Sequence, residues 1–258
     1  MDYSGELAEI QQRIARSHDM ASRRVRVLEA LSAAPGERIV EVGCGAGFAL
    51  REIGVAVGAN GSAVGIDLSA DQVQAASNHC ADLTQVEARV GDRLAIPVAD
   101  QDSDATVSMQ VLEYVTDIET AVAELSRVTR PGGRFVNVAT NWGSLFWSGG
   151  DEDMTDRILS VWQRHAPHPN LPIALPSILG ASGFGGIHQS PLTIVNRHVH
   201  PNTFAHGAAR LMAAFACTIG EVGPDSIDAW LTSLERADSH GVHFLSVVPV
   251  LTTAVRLG

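Results

Sequence analysis

Three closely spaced glycines are the residues with the clearest chemical potential in this chain. Gly43, Gly45 and Gly47 stand in the stretch RIVEVGCGAGF, where an apolar run breaks off and then resumes at helical spacing. Because glycine has no Cβ, a ligand can approach main-chain amides closely at a turn between a strand and a helix. The stretch therefore predicts a binding loop at a helix N-terminus.

The residues around the glycines distinguish two kinds of loop. A dinucleotide-binding loop of the type GxGxxG needs a third glycine at position 48, where the chain has Phe48. A ring at that position would obstruct close packing of the helix on the strand. An acid, Glu41, stands two residues before the first glycine.

With that acid, Glu41–Gly47 resembles the E/DxGxGxG motif of class I S-adenosylmethionine-dependent methyltransferases. Three further stretches agree with that family in order and spacing: GIDLS at 65–69, GDR at 91–93 and PGG at 131–133. The stretch SMQVLEYV at 108–115 resembles the fourth-strand motif of the ubiquinone/menaquinone-biosynthesis-like (methyltransferase type 11) branch, which often has histidine in the place of Tyr114. The resemblance covers residues 20–140.

The resemblance implies S-adenosylmethionine as the cofactor and a set of residues that bind it. Asp67 would accept hydrogen bonds from both ribose hydroxyls, and Asp92 would receive the adenine amino group. The implied cofactor-binding residues are Glu41, Gly43, Cys44, Gly45, Gly47, Asp67, Leu68, Asp92, Arg93 and Gln110. Structural explanations remain open, because Glu41 could cap a helix, the two aspartates could be ordinary loop acids and Cys44 could serve packing.

Strand and helix signals alternate along the first half of the chain. The predicted strands are 38–42, 63–67, 86–90, 105–109 and 133–139, and the predicted helices between them are 46–57, 70–81 and 117–128. Two helices within residues 6–34 precede them. This alternation predicts an α/β fold: a Rossmann-like, doubly wound, mostly parallel seven-stranded sheet with N-terminal helices and a helical cap insertion. The ligand should lie at the carboxyl ends of the strands, beside the first one.

We expect one methyltransferase domain over residues 1–258. Its parts are N-terminal helices at 1–36, a cofactor-binding core at 37–140, and a cap insertion with C-terminal strands at 141–258 that forms the substrate side. In this last part the sequence predicts a loop at 141–150, helices at 151–165, 173–182, 201–219 and 224–239, and strands at 187–197 and 243–257.

Candidate catalytic and substrate-binding residues lie mostly in the second half of the chain. His198 and His200 stand two apart after a predicted strand, so both rings would share one face if the strand extends that far. Neutral histidine suits a general base near pH 7, although each could equally be a surface or pocket-lining residue. No metal is expected, since no clear acidic partner is near the pair in sequence. Tyr114, Trp142, Phe146 and Trp147 could line a pocket for a lipophilic or aromatic acceptor, and core packing explains the tryptophans almost as well.

Composition restricts the partners. The chain has 29 acidic residues against 18 basic ones, for a net charge of −11, so we expect no nucleic-acid partner. All basic residues are arginine, which excludes lysine Schiff bases, pyridoxal phosphate attachment and a P-loop lysine. Three cysteines without CxxC spacing indicate reduced thiols. Without a signal-like or membrane-spanning segment, we expect a cytoplasmic location. A homodimer is left open.

These observations predict methyl transfer from S-adenosylmethionine to oxygen, nitrogen or carbon of a small acceptor, natural-product-like or quinone-like, by in-line displacement. One alternative is an enzyme of the same fold that binds the cofactor but catalyses a cyclisation or rearrangement. A second alternative is a non-catalytic binding protein, against which the intact glycine loop and acids count.

Overall fold

The computed structural model describes residues 6–258, and the side chains of residue 10 and of residues 12–258. The α-helices are Glu6–Arg16 (α1), His18–Leu31 (α2), Phe48–Val57 (α3), Ala70–His79 (α4), Ile118–Val128 (α5), Glu152–Trp162 (α6), Leu171–Ala181 (α7), Phe204–Thr218 (α8) and Pro224–Ser239 (α9). The strands are Arg38–Val42 (β1), Ser62–Asp67 (β2), Val86–Val90 (β3), Ser103–Met109 (β4), Thr129–Ser148 (β5), Phe184–Pro191 (β6), Ile194–Asn196 (β7) and Phe244–Arg256 (β8). The first five residues of the predicted segment 1–36 lie outside the described residues.

The strands form one mixed sheet in the order β3-β2-β1-β4-β5-β8-β6, with β7 paired to β8. The pairs β3–β2, β2–β1, β1–β4 and β4–β5 are parallel, and β6 and β7 pair antiparallel with β8. Seven strands on the main path confirm the predicted doubly wound, mostly parallel sheet. The strand order reverses between β1 and β4, which defines the switch point where such sheets bind ligands.

Two predicted elements in the second half differ from the structure. The stretch 141–150, predicted to be a loop, is a strand as far as Ser148, because β5 continues through it. Trp142 and Trp147 are buried in this part of β5, and Ser144 Oγ accepts a hydrogen bond from Val248 N at 2.9 Å. The predicted strand 187–197 is two strands, β6 and β7. Pro191 ends β6, since a proline has no N–H to donate to the ladder.

The stretch Pro131–Gly133 forms a bulge within β5. Ser103 pairs with Thr129 and Ala105 with Arg134, so the intervening residues of β5 bulge out of the ladder. Gly132 has a φ of 76°, a conformation that glycine adopts without a steric penalty.

The chain divides into two compact units that interleave in sequence. The core unit contains Arg24–Thr140, Asn170–Pro191 and Val250–Gly258, and the cap unit contains the described residues up to Arg23, Asn141–Pro169 and Leu192–Pro249. The segment 141–258, treated from sequence as one cap and substrate side, is therefore shared by both units. The reason is that α7, β6 and the end of β8 belong to the core unit, where β6 and the end of β8 extend the sheet.

Each unit has its own apolar core. In the core unit the rings of Phe135 and Phe184 pack 5.2 Å apart. In the cap unit Trp162 and Trp230 are almost completely buried. Within the described part of the chain, no helix combines the length and the apolar character needed to cross a bilayer.

Candidate functional site

The candidate site lies at the carboxyl ends of the parallel strands in the core unit. Val42, the last residue of β1, pairs with Ile66 on one side and with Ser108 on the other. The loops that follow β1, β2 and β4 therefore leave the same edge of the sheet as neighbours. They carry the glycines, Asp67 and Gln110.

The three glycines of the loop have different roles. Gly43, Gly45 and Gly47 all have positive φ angles, at 78°, 50° and 79°. A Cβ at Gly43 would lie 2.1 Å from Cγ2 of Val111, and a Cβ at Gly47 would lie 2.9 Å from Cα of Ala76. At Gly45 the nearest atom would be 3.9 Å away. Two glycines thus allow close packing, while Gly45 leaves the open space that a ligand needs.

Asp67 connects the glycine loop to the turn after β2. Its Oδ2 accepts a hydrogen bond from Gly45 N at 2.9 Å, and its Oδ1 accepts one from Ser69 N at 3.0 Å. A carboxylate has about four acceptor sites, so capacity remains for ligand hydroxyls. Leu68 beside it is 51% exposed and offers an apolar surface. The structure thus brings three of the predicted cofactor-binding residues together.

Glu41 is a buried carboxyl group below this loop. It is 2% exposed, and its Oε2 has no hydrogen-bond partner among the described residues. Burial, followed by the negative charges of Asp67 and Glu52, raises the pKa of Glu41 to about 8, while Arg24 opposes the rise. A nearby cationic ligand would stabilise the ionised form. The unpartnered oxygen and the open space at Gly45 fit a ligand that carries positive charge and hydroxyl groups, as S-adenosylmethionine does.

The remaining acid, Asp92, lies on an exposed turn after β3. Its Oδ1 accepts a hydrogen bond from Leu94 N at 2.9 Å, and the segment is held in place by Ile96, whose N donates to Glu124 Oε2 at 2.8 Å. The neighbouring Arg93 has a buried Nε without a hydrogen-bond partner among the described residues. Asp92 therefore has a fixed main chain and a solvent-accessible carboxylate.

Cys44 lies in the glycine loop but its side chain is buried. A Cβ at Gly65 would lie 2.8 Å from the Cys44 Sγ, so the thiol fills space against β2. Burial raises the pKa of this thiol well above its usual range, which makes it unreactive. These contacts favour the packing explanation for its side chain.

Gln110, at the end of β4, is held in a left-handed conformation with a φ of 60°. Its Nε2 donates to Glu113 Oε1 at 2.5 Å, and its Oε1 accepts a hydrogen bond from Thr140 Oγ1 at 2.9 Å. Glu113 is completely buried and also accepts from Thr140 N at 3.3 Å. A strained non-glycine residue needs such support, and residues of this kind cluster at functional sites.

We call Gln110, Glu113 and Thr140 the β4–β5 clamp. It fixes the segment that includes Val111, which packs over Gly43. Neither Glu113 nor Thr140 was predicted from the sequence as a site residue. A glutamate within the otherwise apolar stretch VLEYV was the available signal for Glu113. Thr140 gave no comparable signal, because its role depends on the pairing of β4 with β5.

The candidate catalytic histidines belong to the cap unit. β7 ends at Asn196, before both of them, yet the rings of His198 and His200 still lie 6.3 Å apart at an angle of 24°. His198 Nδ1 lies 2.8 Å from Oδ1 of Asp238, whose Oδ2 accepts from Val199 N at 3.1 Å. An acidic partner thus exists, supplied by α9, 40 residues away in sequence. Within the described residues no group of three or more potential ligands could hold a metal ion.

The predicted pocket aromatics fall into different environments. Trp142 and Trp147 are 4% and 5% exposed in the cap core, where Trp142 packs edge-on against Trp162 and Trp147 donates to His243 Nε2 at 3.0 Å. Phe146 is 57% exposed, and Tyr114 in the core unit is half-buried. These contacts favour the packing explanation for the two tryptophans.

Comparison with known proteins shows which proteins this chain resembles. Residues 40–137 match the family model described as "Methyltransferase domain". The fold resembles that of the cyclase SpnF, with a TM-score of 0.59 and 22% identity, over 93% of this chain and 82% of that one. Residues 40–137 therefore match a methyltransferase domain, as the resemblance implied, and the fold is Rossmann-like.

Two curated relatives are methyltransferases. The chain is 32% identical over 136 residues to 24-methylenesterol C-methyltransferase 2 of Oryza sativa subsp. japonica, a match covering 51% of this chain and 37% of the relative. It is 30% identical over 118 residues to demethylmenaquinone methyltransferase of Desulfitobacterium hafniense, covering 45% and 47%. The match spans less than half the length of either relative.

Proposed function

We propose that this protein transfers a methyl group from S-adenosylmethionine to a small-molecule acceptor. The observation that carries the proposal is the open space at Gly45, bordered by the Asp67 carboxylate, in the same unit as the unpartnered carboxyl oxygen of the buried Glu41. This combination of an open main chain, a hydroxyl acceptor and a buried carboxyl group that a cation would ionise suits a cationic nucleoside.

S-adenosylmethionine, when bound, supplies an electrophilic methyl group on a sulfonium. The residues of this chain bind and orient. Asp67 accepts hydrogen bonds from hydroxyl groups, and Glu41 provides a buried carboxyl group whose ionised form a bound cation stabilises. The β4–β5 clamp holds the wall of the site rigid. Orientation of reactants of this kind can supply ~7–11 kcal/mol of a reaction barrier, so a protein base is optional.

His198 is the proposed base for acceptors that need one. Asp238 accepts a hydrogen bond from Nδ1–H of His198, which leaves Nε2, with its lone pair, as the basic atom. An alcohol or an acidic carbon requires such a base, whereas an amine does not. His200, which stacks beside it, is the second candidate.

The acceptor is proposed to be quinone-like or natural-product-like. Support comes from the two relatives, whose names specify a sterol and a menaquinone precursor, and from the net charge of −11, which disfavours nucleic acid. The exposed ring of Phe146 and the half-buried Tyr114 remain the proposed contacts for its apolar part.

The first test measures cofactor binding by calorimetry for the wild type and two charge-matched variants. Asp67→Asn removes the carboxylate at the site, and Asp71→Asn removes an exposed carboxylate from the first turn of α4. We expect Asp67→Asn to weaken binding by about 2 kcal/mol, or roughly 30-fold, and Asp71→Asn to change nothing. Equal affinity in all three proteins would contradict the assignment of Asp67.

The second test incubates the protein with S-adenosylmethionine and a panel of quinones, sterols and polyketides, followed by mass spectrometry. Methyl transfer predicts S-adenosylhomocysteine and a product heavier by one methylene. An isomerised acceptor with intact cofactor would instead support the cyclisation or rearrangement enzyme. Absence of any cofactor affinity, together with tight binding of a partner protein, would support the non-catalytic alternative.

A further inference from the structure

An open hollow lies in the cap unit between α1 and α8. Ile10, Ile14, Arg13 and Arg210 are among the side chains that line it. Gly207 of α8 brings the helices together here, because a Cβ at that position would lie 2.2 Å from Cγ1 of Ile14. The hollow is thus a consequence of how the two helices pack.

The charge of this hollow is opposite to that of the protein as a whole. The chain carries a net charge of −11, yet two guanidinium groups, of Arg13 and Arg210, line the hollow. His206, which is 8% exposed, lines it as well. Burial, and then the positive charges of Arg210 and Arg13, lower the pKa of His206, so both charges act at its ring.

The carboxylate of Glu235, which also acts on His206, balances this charge only weakly. Arg210 Nη2 lies 3.7 Å from Glu235 Oε1, beyond hydrogen-bond distance, and the Glu235 side chain is 60% exposed. Arg210 Nη1 donates instead to the main-chain oxygen of His206 at 3.2 Å. This bond holds the guanidinium along α8 at the hollow.

The amides at the start of α8 already have partners. Phe204 N donates to Asp19 Oδ2 and Ala205 N to Asn196 Oδ1, both at 2.8 Å, and His206 N donates to Thr203 Oγ1 at 3.4 Å. A ligand in the hollow would therefore be recognised by side chains rather than by the helix terminus.

We propose that this hollow is a binding site for a small oxyanion, the phosphate or carboxylate group of a small molecule, held by Arg13 and Arg210 with the ring of His206 as a neutral donor. Guanidinium groups form paired, charge-assisted hydrogen bonds with such groups. Ile10 and Ile14 offer apolar contact to the organic part of the ligand. The site lies within the cap unit and does not depend on the proposed methyl transfer.

The test titrates the whole protein with inorganic phosphate by calorimetry at constant ionic strength. Arg13→Gln and Arg210→Gln should each weaken binding about tenfold, because each removes a charge-assisted contact. Arg26→Gln changes the net charge equally but lies on α2, paired only with the exposed Glu29, and should bind like the wild type. Arg210→Lys keeps the charge without the planar donor pair and should have intermediate affinity.

A gain-of-affinity variant separates binding from folding effects. Glu235→Gln removes the competing carboxylate and should tighten phosphate binding severalfold, which a loss of structure would not do. Phenyl phosphate should bind more tightly than inorganic phosphate if the isoleucines contact an organic group; equal affinity would assign the site to the free ion. Absence of saturable binding of either probe by the wild type, or equal affinities in Arg13→Gln, Arg210→Gln and Arg26→Gln, would overturn the proposal.

Discussion

Replacement of Gly43 by alanine should mainly lower stability, whereas replacement of Gly45 by alanine should mainly weaken cofactor binding. Both residues have left-handed main-chain conformations, which cost a non-glycine residue about 1–2 kcal/mol. At Gly43 the new methyl group would also lie 2.1 Å from Cγ2 of Val111, and overpacking of this kind adds about 1–3 kcal/mol. At Gly45 no atom lies closer than 3.9 Å.

The expected magnitudes follow from these terms. Gly43→Ala should lower the free energy of unfolding by about 2–5 kcal/mol, and Gly45→Ala by only about 1–2 kcal/mol. For a chain of this length each kcal/mol corresponds to roughly 2–4 °C in Tm. Gly45→Ala should nevertheless weaken S-adenosylmethionine binding at least about tenfold, because its methyl group occupies the space through which the ligand approaches the main chain.

Calorimetric Tm and cofactor Kd, measured on the same preparations, test both effects. The double variant Gly43→Ala/Val111→Ala removes the colliding Cγ2 and should recover the packing part of the loss, leaving the conformational cost. Cofactor binding by Gly45→Ala as tight as that of the wild type would contradict the role assigned to Gly45. The role assigned to Gly43 would be contradicted if Gly43→Ala is no less stable than Gly45→Ala, or if the Val111 change recovers no stability.

Three further predictions concern the acids and the candidate base. The pKa of Glu41 is raised from 4.5 to about 8, so its contribution to stability is complete below about pH 4.5 and is lost as the pH rises through 8. In urea unfolding, the free energy of unfolding of the wild type should fall by up to about 1.4 kcal/mol per pH unit relative to that of Glu41→Gln across that window. Parallel pH curves for the two proteins would contradict the burial of Glu41 as the cause. Glu113→Ala should weaken S-adenosylmethionine binding about tenfold by releasing Gln110, whereas Glu113→Gln, which keeps an acceptor oxygen, should retain most of the affinity. Equal affinities of the two variants in calorimetry would show that the β4–β5 clamp has no role in cofactor binding. His198→Ala should lower kcat by about 10²–10⁴-fold with an alcohol acceptor, but should leave kcat with an amine acceptor and the cofactor Kd unchanged. His200→Ala should change these rates little. A larger loss of steady-state rate in His200→Ala than in His198→Ala would transfer the proposed role to His200.

The first half of the fold could be predicted from local patterns. Alternating strands and helices between residues 38 and 139 follow from short apolar runs and turn residues close together in sequence. The stretch 141–150 was predicted wrongly, because its glycine and serine residues indicate a loop. Burial of Trp142 and Trp147 and pairing with a distant strand outweigh that local preference.

The residue types of the site could be predicted from the sequence, but the role of each residue could not. A loop with glycines spaced by one residue and an acid two positions before the first can bind only certain ligands. These residues act through their own main chain and charge, so the sequence is enough to predict the kind of ligand. The different roles of Gly43 and Gly45 depend on whether Val111, far along the chain, occupies the space beside each.

The parallel sheet, the glycine loop and the acids at its edge could be predicted from the sequence, because each depends on residues within about one strand or helix. The packed chain alone shows that Glu41 is a buried acid with a raised pKa, that Glu113 and Thr140 hold Gln110, and that Asp238 contacts His198. It also shows that Arg13 and Arg210 line one hollow. Burial and contacts between distant segments are properties of the packed chain, and no local pattern contains them.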